Sequence, residues 1–158
     1  MKGMVSIFDV AKFILIKSRD AGDTTTNLKL QKLVYYAEAW FAALYGKKLT
    51  GEKFEAWVHG PVCRKLYGAY KRYGYGPIDL KESVKSPELP KRVEEHLKDV
   101  LDAYSRFSAW ELERMSHQEE PWIKARAGCK PTESCAKAIE FEDMRDYFRR
   151  LADEARKK

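Results

Sequence analysis

Three histidines (His59, His96, His117), three cysteines (Cys63, Cys129, Cys135) and a carboxylate inside an apolar run (Glu38) are the side chains with chemistry to offer. Nucleophilic catalysis needs a thiol or hydroxyl beside a base. His59 and Cys63 would lie one turn apart on a helix, but Gly60-Pro61 between them breaks that geometry. Cys63 also falls on an apolar stripe, where a small buried hydrophobe is a simpler role than a nucleophile. No cysteine pair has the short spacing of a structural zinc site, and HExxH does not occur. Cys129 and Cys135 could close a short span, which in a cytosolic chain reads as an incidental pairing. Gly74 and Gly76 lack the lysine-serine/threonine of one phosphate loop and the strand-to-helix setting of the other. The chain is therefore read as non-enzymatic, with no catalytic residue, no metal and no cofactor. If Glu38 is buried, a structural partner such as a tyrosine hydroxyl or a basic side chain must satisfy it, because an isolated buried carboxylate is very unfavourable.

Binding chemistry is better represented. Arg64, Lys65, Lys71 and Arg72 interleave with Tyr67, Tyr70, Tyr73 and Tyr75, and no acid falls between Val62 and Ile78. Basic groups in such a run can neutralise phosphates while tyrosines stack on bases. The competing reading puts Tyr67 and Tyr70 in the core and leaves the cations as a solvated face.

The elements that must position these residues are helices. Leu28 to Tyr45 is apolar on nearly every side, with Leu30, Leu33, Val34, Ala37, Phe41 and Leu44 on one face and Tyr36, Ala39, Trp40 and Ala43 flanking it. Such a helix has to be enclosed, so it is the expected centre of the domain, capped by Asn27 and closed by Gly46. Ser6 with Asp9 resembles a capping box opening a first helix, with Ile7, Val10, Phe13 and Ile14 buried. Lys47 to Lys53 reads as a loop or hairpin turn, and Phe54 to Val58 as a strand. Pro61 is placed to start a helix striped by Cys63, Leu66, Tyr67 and Tyr70. Further helices are expected over about Lys91–Tyr104, after a Ser108–Glu111 capping box, from Pro121 to near Gly128, and around Met144–Leu151. The fold class is mostly α: one helical domain around a central helix at about 28–45, with room for one very short β-hairpin near 48–58. Residues 1–158 are taken as one domain, with a charged helical tail from about 152.

Composition agrees. The chain has 158 residues, of which 44% are hydrophobic, enough to bury a core. No run of about eighteen apolar residues suggests a membrane span, and the start of the chain lacks the cleavage pattern of a signal peptide. An odd number of unevenly spaced cysteines suits a reduced, cytoplasmic protein. The formal net charge of +6 permits an acidic or nucleic-acid partner but also serves solubility alone.

Three blocks together resemble a known family. They are Leu30-Gln31-Lys32-Leu33-Val34-Tyr35-Tyr36-Ala37-Glu38-Ala39-Trp40, then Phe54-Glu55-Ala56-Trp57-Val58-His59-Gly60-Pro61-Val62, then His117-Gln118-Glu119-Glu120-Pro121-Trp122. Their order and spacing are similar to those of the Panacea antitoxin domain, also called SocA-like or GepA-like, over roughly Ile7 to Leu151. The resemblance implies an antitoxin that neutralises a toxin, usually encoded in the adjacent gene, by direct protein contact. It also implies that some members act as adaptors to an ATP-dependent protease. Within it, Trp40, Gly60, Pro61, His117, Pro121 and Trp122 are expected to be structural. The expected partner surface is the Gly60-Pro61-Val62 turn with its following basic helix: Trp57, His59, Arg64, Lys65, Lys71 and Arg72. A nucleic-acid-binding regulator of its own operon is the alternative.

Overall fold

The computed structural model describes residues 3–157. Met1, Lys2 and Lys158 lie outside the described residues, and with them the first residues of the leader reading and the last of the charged tail. Among the described residues the elements run α1 (Ile7–Asp20), α2 (Asn27–Tyr45), β1 (Glu55–Trp57), β2 (Gly60–Val62), α3 (Arg64–Tyr70) and a 3-10 turn (Lys71–Tyr73). They continue with α4 (Lys91–Tyr104), α5 (Ala109–His117), α6 (Glu120–Ala125) and α7 (Phe141–Arg156). No helix among them is long and apolar enough to cross a membrane.

Helix α2 is the axis. Helices α1, α4, α5 and α7 and strand β2 all pack on it, α7 most extensively. Every residue from Leu30 to Ala39 is buried, including Gln31, Lys32 and Glu38. The enclosure is thus more complete than the sequence pattern suggests, since two polar residues of the early turns are covered as well. Its last turn is less so: Leu44 and Tyr45 are exposed. The aromatic core beside α2 joins Tyr35, Tyr36 and Phe148 edge-to-face, with Tyr36 stacked on Tyr104 at 4.2 Å between centroids. Gly46 ends α2 in the left-handed conformation, φ 64°. The N-cap is Thr26, whose hydroxyl accepts from the Lys29 amide at 3.2 Å. Asn27, expected there, lies one residue inside and donates to the Tyr67 carbonyl at 3.1 Å.

Ser6 caps α1 through the Phe8 amide, and the expected buried stripe of Ile7, Val10, Phe13 and Ile14 is in the core. Ser108 and Glu111 form the reciprocal capping box of α5.

The hairpin lies later in the chain than 48–58. Its strands are 55–57 and 60–62, and Val58-His59 make the turn. Pro61 is therefore a strand residue, not the first of a helix, and α3 begins at Arg64 after Cys63. The register explains why proline is tolerated. Trp57 opposes Gly60 and Ala56 opposes Pro61; neighbouring pairs of an antiparallel ladder alternate between bonded and unbonded. The Ala56 amide turns the other way and donates to the Lys137 carbonyl at 2.9 Å. Glu38 is held by the Leu49 and Thr50 amides and the Thr50 hydroxyl, neither a tyrosine nor a cation. Burial raises its pKa, against those hydrogen bonds.

Candidate functional site

The β1–β2 turn is fastened from three sides. Gly60 has φ +102°, and a Cβ there would lie 2.6 Å from Lys32 Cε of α2 and 2.8 Å from Ser116 Oγ of α5. Glycine is required twice over, by backbone conformation and by contact. On the third side, Trp122 Nε1 donates to the Trp57 carbonyl at 2.9 Å. The Trp122 ring stacks on His117 at 4.1 Å, and Arg126 donates to the Ala56 carbonyl at 2.9 Å. Gly60, Pro61, His117 and Trp122, far apart in the chain, thus meet around one turn, and Pro121 is buried in the first turn of α6, the helix that carries Trp122. Trp40 does not join them. It sits elsewhere on α2, donating to Tyr104 Oη at 2.7 Å and packing on Phe148.

Trp57, Val58, His59 and Arg64 form one wall of an open cleft of about 590 Å³, and Thr132, Ser134, Cys135 and Ala136 form the other. Three of the six expected partner-surface residues therefore converge. Trp57 leans on Tyr67 and donates to Glu55 Oε1 at 2.8 Å. Arg64 lies over the Trp57 ring at 5.3 Å and donates to the same Glu55 oxygen at 2.9 Å. Burial raises the Glu55 pKa, but the hydrogen bonds from Trp57 and Arg64 and the nearby cations outweigh it and bring the net value down. His59 Nδ1 sits 2.9 Å from Glu113 Oε1.

Lys65 pairs with Glu52 at 3.1 Å. Lys71 and Arg72 are exposed on the 3-10 turn and line no part of the cleft. Arg72 is occupied with the Ala69 carbonyl and the Tyr73 hydroxyl. The expected single surface is therefore two: a cleft whose arginine, Arg64, is already matched by Glu55, and a separate basic end at Lys71 and Arg72, with Lys65 lining no part of the cleft.

Beneath the turn are polar groups of which the sequence singled out only His117. Gln31 Oε1 accepts from the Cys63 amide at 3.1 Å while its Nε2 donates to Asn27 at 3.0 Å, so α2 sets the start of α3. Lys32 is 1% exposed, and its Nζ has no hydrogen-bond partner among the described residues. Burial brings its pKa down to about 7, against the attraction of Glu113. His117 Nε2 is likewise buried without a partner, and burial pushes the imidazole down. Glu119 accepts from Tyr36 Oη at 2.9 Å, and burial lifts its carboxyl to about 7 against that bond. The one signal for Lys32 was a lysine between Leu30 and Leu33 in the early turns of a helix that has to be enclosed. His96 is a core histidine, bonded to the Ala37 carbonyl at 2.9 Å, and Cys63 is buried. Cys129 and Cys135, whose spacing suggested an incidental pair, are joined in a disulfide with Cα atoms 6.5 Å apart.

Residues 30–123 match the family model described as antitoxin SocA-like, Panacea domain. The chain is 31% identical over 125 residues to a protein named Antitoxin SocA from Caulobacter vibrioides (strain NA1000 / CB15N). That alignment covers 72% of this chain and 66% of the relative, so it spans a little under two thirds of the relative's length. No solved structure matches.

Proposed function

Because this chain belongs to the SocA-like Panacea antitoxin family, we propose that it is the antitoxin of a toxin–antitoxin pair and neutralises its toxin by direct contact at the β1–β2 cleft. The observation that carries the site is the convergence of three distant segments on one turn that presents Trp57 and Arg64 beside an open cleft. A tryptophan with an arginine stacked over it is the kind of anchor that dominates protein interfaces. The reading is non-enzymatic and cytoplasmic. The toxin is encoded next to this gene, and delivery to an ATP-dependent protease is a second step the family suggests.

The test is co-expression with the adjacent gene. The neighbour alone should arrest growth, this chain should restore it, and the two products should co-purify. Ala136→Arg, on an exposed position of the cleft wall, should abolish rescue and co-purification while leaving the urea midpoint unchanged. A neighbour harmless by itself in a strain lacking this protein would sink the antitoxin reading. Rescue by the Ala136→Arg variant would sink the cleft assignment. If the toxin's half-life in the presence of this chain is the same with and without each ATP-dependent protease, the adaptor step is wrong.

The basic end favours a second reading, a nucleic-acid-binding regulator of its own operon. Lys71 and Arg72 form no ion pair among the described residues, and Tyr75 beside them is 86% exposed. The pairing of Arg64 and Lys65 with carboxylates argues against it. It predicts retention on duplex DNA with a steep salt dependence that Lys71→Glu/Arg72→Glu flattens; absence of a shift at low salt removes it.

A further inference from the structure

We propose that Cys129 and Cys135 are a reversible dithiol–disulfide couple that sets the position of one wall of the β1–β2 cleft. The proposal takes its significance from the reading of that cleft as the partner surface, while its chemistry stands apart from any partner.

The two Cα atoms are 6.5 Å apart, within the reach of a disulfide. Both residues lie in the segment joining α6 to α7, outside helix and strand, and Cys135 faces the cleft with Ser134 and Ala136. That segment is anchored at two places. Before Cys135, the buried Arg126 donates to the carbonyls of Lys130 and Glu133, each at 2.7 Å. After it, the chain pairs with β1: Ala56 donates to the Lys137 carbonyl and Ile139 to the Phe54 carbonyl. Between those anchors the amides of Ser134, Cys135 and Ala136 donate no hydrogen bond among the described residues. The sulfur–sulfur bond is the tie that crosses this stretch. Opening it frees the cleft wall and leaves the anchors and the core around α2 in place, which is how a locally unstable segment behaves. The third thiol is no competitor: Cys63 is 2% exposed, and burial raises its pKa.

The co-reactant is a low-molecular-weight thiol of the glutathione class. Its thiolate attacks the sulfur of Cys129, which is half-buried where Cys135 is buried, forms a mixed disulfide there and releases Cys135 as a thiolate, which takes up a proton. A second thiolate attacks the small-molecule sulfur of the mixed disulfide and releases the remaining cysteine. Overall, the protein disulfide and two small thiols give two protein thiols and one small-molecule disulfide, with two electrons passing to the protein. In an oxidised pool the same steps run backwards. A disulfide in a cytosolic chain is more often such a transient pair than a permanent staple.

The experiment uses the full chain carrying Cys63→Ala, equilibrated in glutathione buffers from fully reduced to mostly disulfide. Alkylation followed by mass measurement counts free thiols, and backbone 15N relaxation reports on the order of each segment. The expected result is a single two-electron transition, with the amide order parameters of residues 134–136 falling from rigid values (about 0.85) to below about 0.6 in the reduced form and those of α2 and α7 unchanged. Cys129→Ser/Cys135→Ser should show the low values in every buffer. Two free thiols persisting in the most oxidised buffer would overturn the proposal. So would a bond that opens and closes without changing the order parameters at 134–136, or one whose opening lowers them throughout α2. No toxin is used, so a negative result here leaves the antitoxin reading untouched. Loss of growth rescue in both redox states would reject only that reading.

Discussion

At Gly60 one added methyl group would meet Lys32 Cε and Ser116 Oγ, on a backbone with φ +102°. Gly60→Ala is expected to lower stability by about 1–3 kcal/mol, read as a shift of the urea midpoint at constant slope; an unchanged midpoint would mean the turn is not held as described. The buried titratable groups beneath the turn give a pH signature. The Lys32 pKa is about 7 in the folded chain and near 10.5 unfolded, so between those values the unfolded state binds more protons. Stability from this group therefore rises with pH across that window, by up to about 1.4 kcal/mol per pH unit. Glu119 has the opposite sign: its folded pKa of about 7 lies above the unfolded value, so its contribution falls as pH rises from about 4.5 to 7. Urea titrations of Lys32→Met against the native chain should show the variant's advantage shrinking above pH 7. Those of Glu119→Gln, which keeps an acceptor for Tyr36, should show an advantage growing between pH 4.5 and 7. Parallel curves in either comparison would place the group in water.

Among the elements, α2 does more than fill the core. Through Gln31 and Asn27 it holds the first residues of α3 and the carbonyl of Tyr67. Gln31→Leu leaves the Cys63 amide buried without its acceptor and should destabilise by about 1–3 kcal/mol, with faster exchange in α3 than in α7; equal exchange in both would show that the clamp is not specific to α3. Ser108→Ala removes one half of the α5 capping box and should lower stability by about 1 kcal/mol, checked by thermal unfolding. That box, the α4 span and the buried stripe of α1 were readable in the chain because they depend on residues within a turn or two of one another. The hairpin was displaced because Lys47 to Lys53 has the composition of a turn, whereas the actual turn, Val58-His59, owes its geometry to Gly60 fitting against α2 and α5. Pro61 has the local look of a helix start, and only its place opposite Ala56 makes it a strand residue.

For the molecule as a whole, the arrangement separates two surfaces that the chain runs together. Arg64, Lys65, Lys71 and Arg72 look like one basic strip, yet Glu55 and Glu52 are brought alongside the first two. The cleft is thus close to neutral and suited to a protein anchored on an aromatic, and only the far end keeps unmatched charge. Partner binding should accordingly depend weakly on salt. A loss of co-purification between about 50 and 200 mM salt as steep as that of a phosphate-binding protein would contradict the assignment.

The amino-acid sequence alone determined the helical class, the enclosed axis, most helix ends and the family resemblance, since these follow from periodicity, capping chemistry and short motifs. Tertiary structure alone decided that Lys32 and Gln31 are buried, that Glu38 is satisfied by the Leu49–Thr50 backbone, that Trp40 stands apart from the other motif residues, and that Cys135 lines a cleft with Trp57. Each of these is a contact between segments distant in the chain, and hydrophobic periodicity records which face of a helix is covered without recording what covers it.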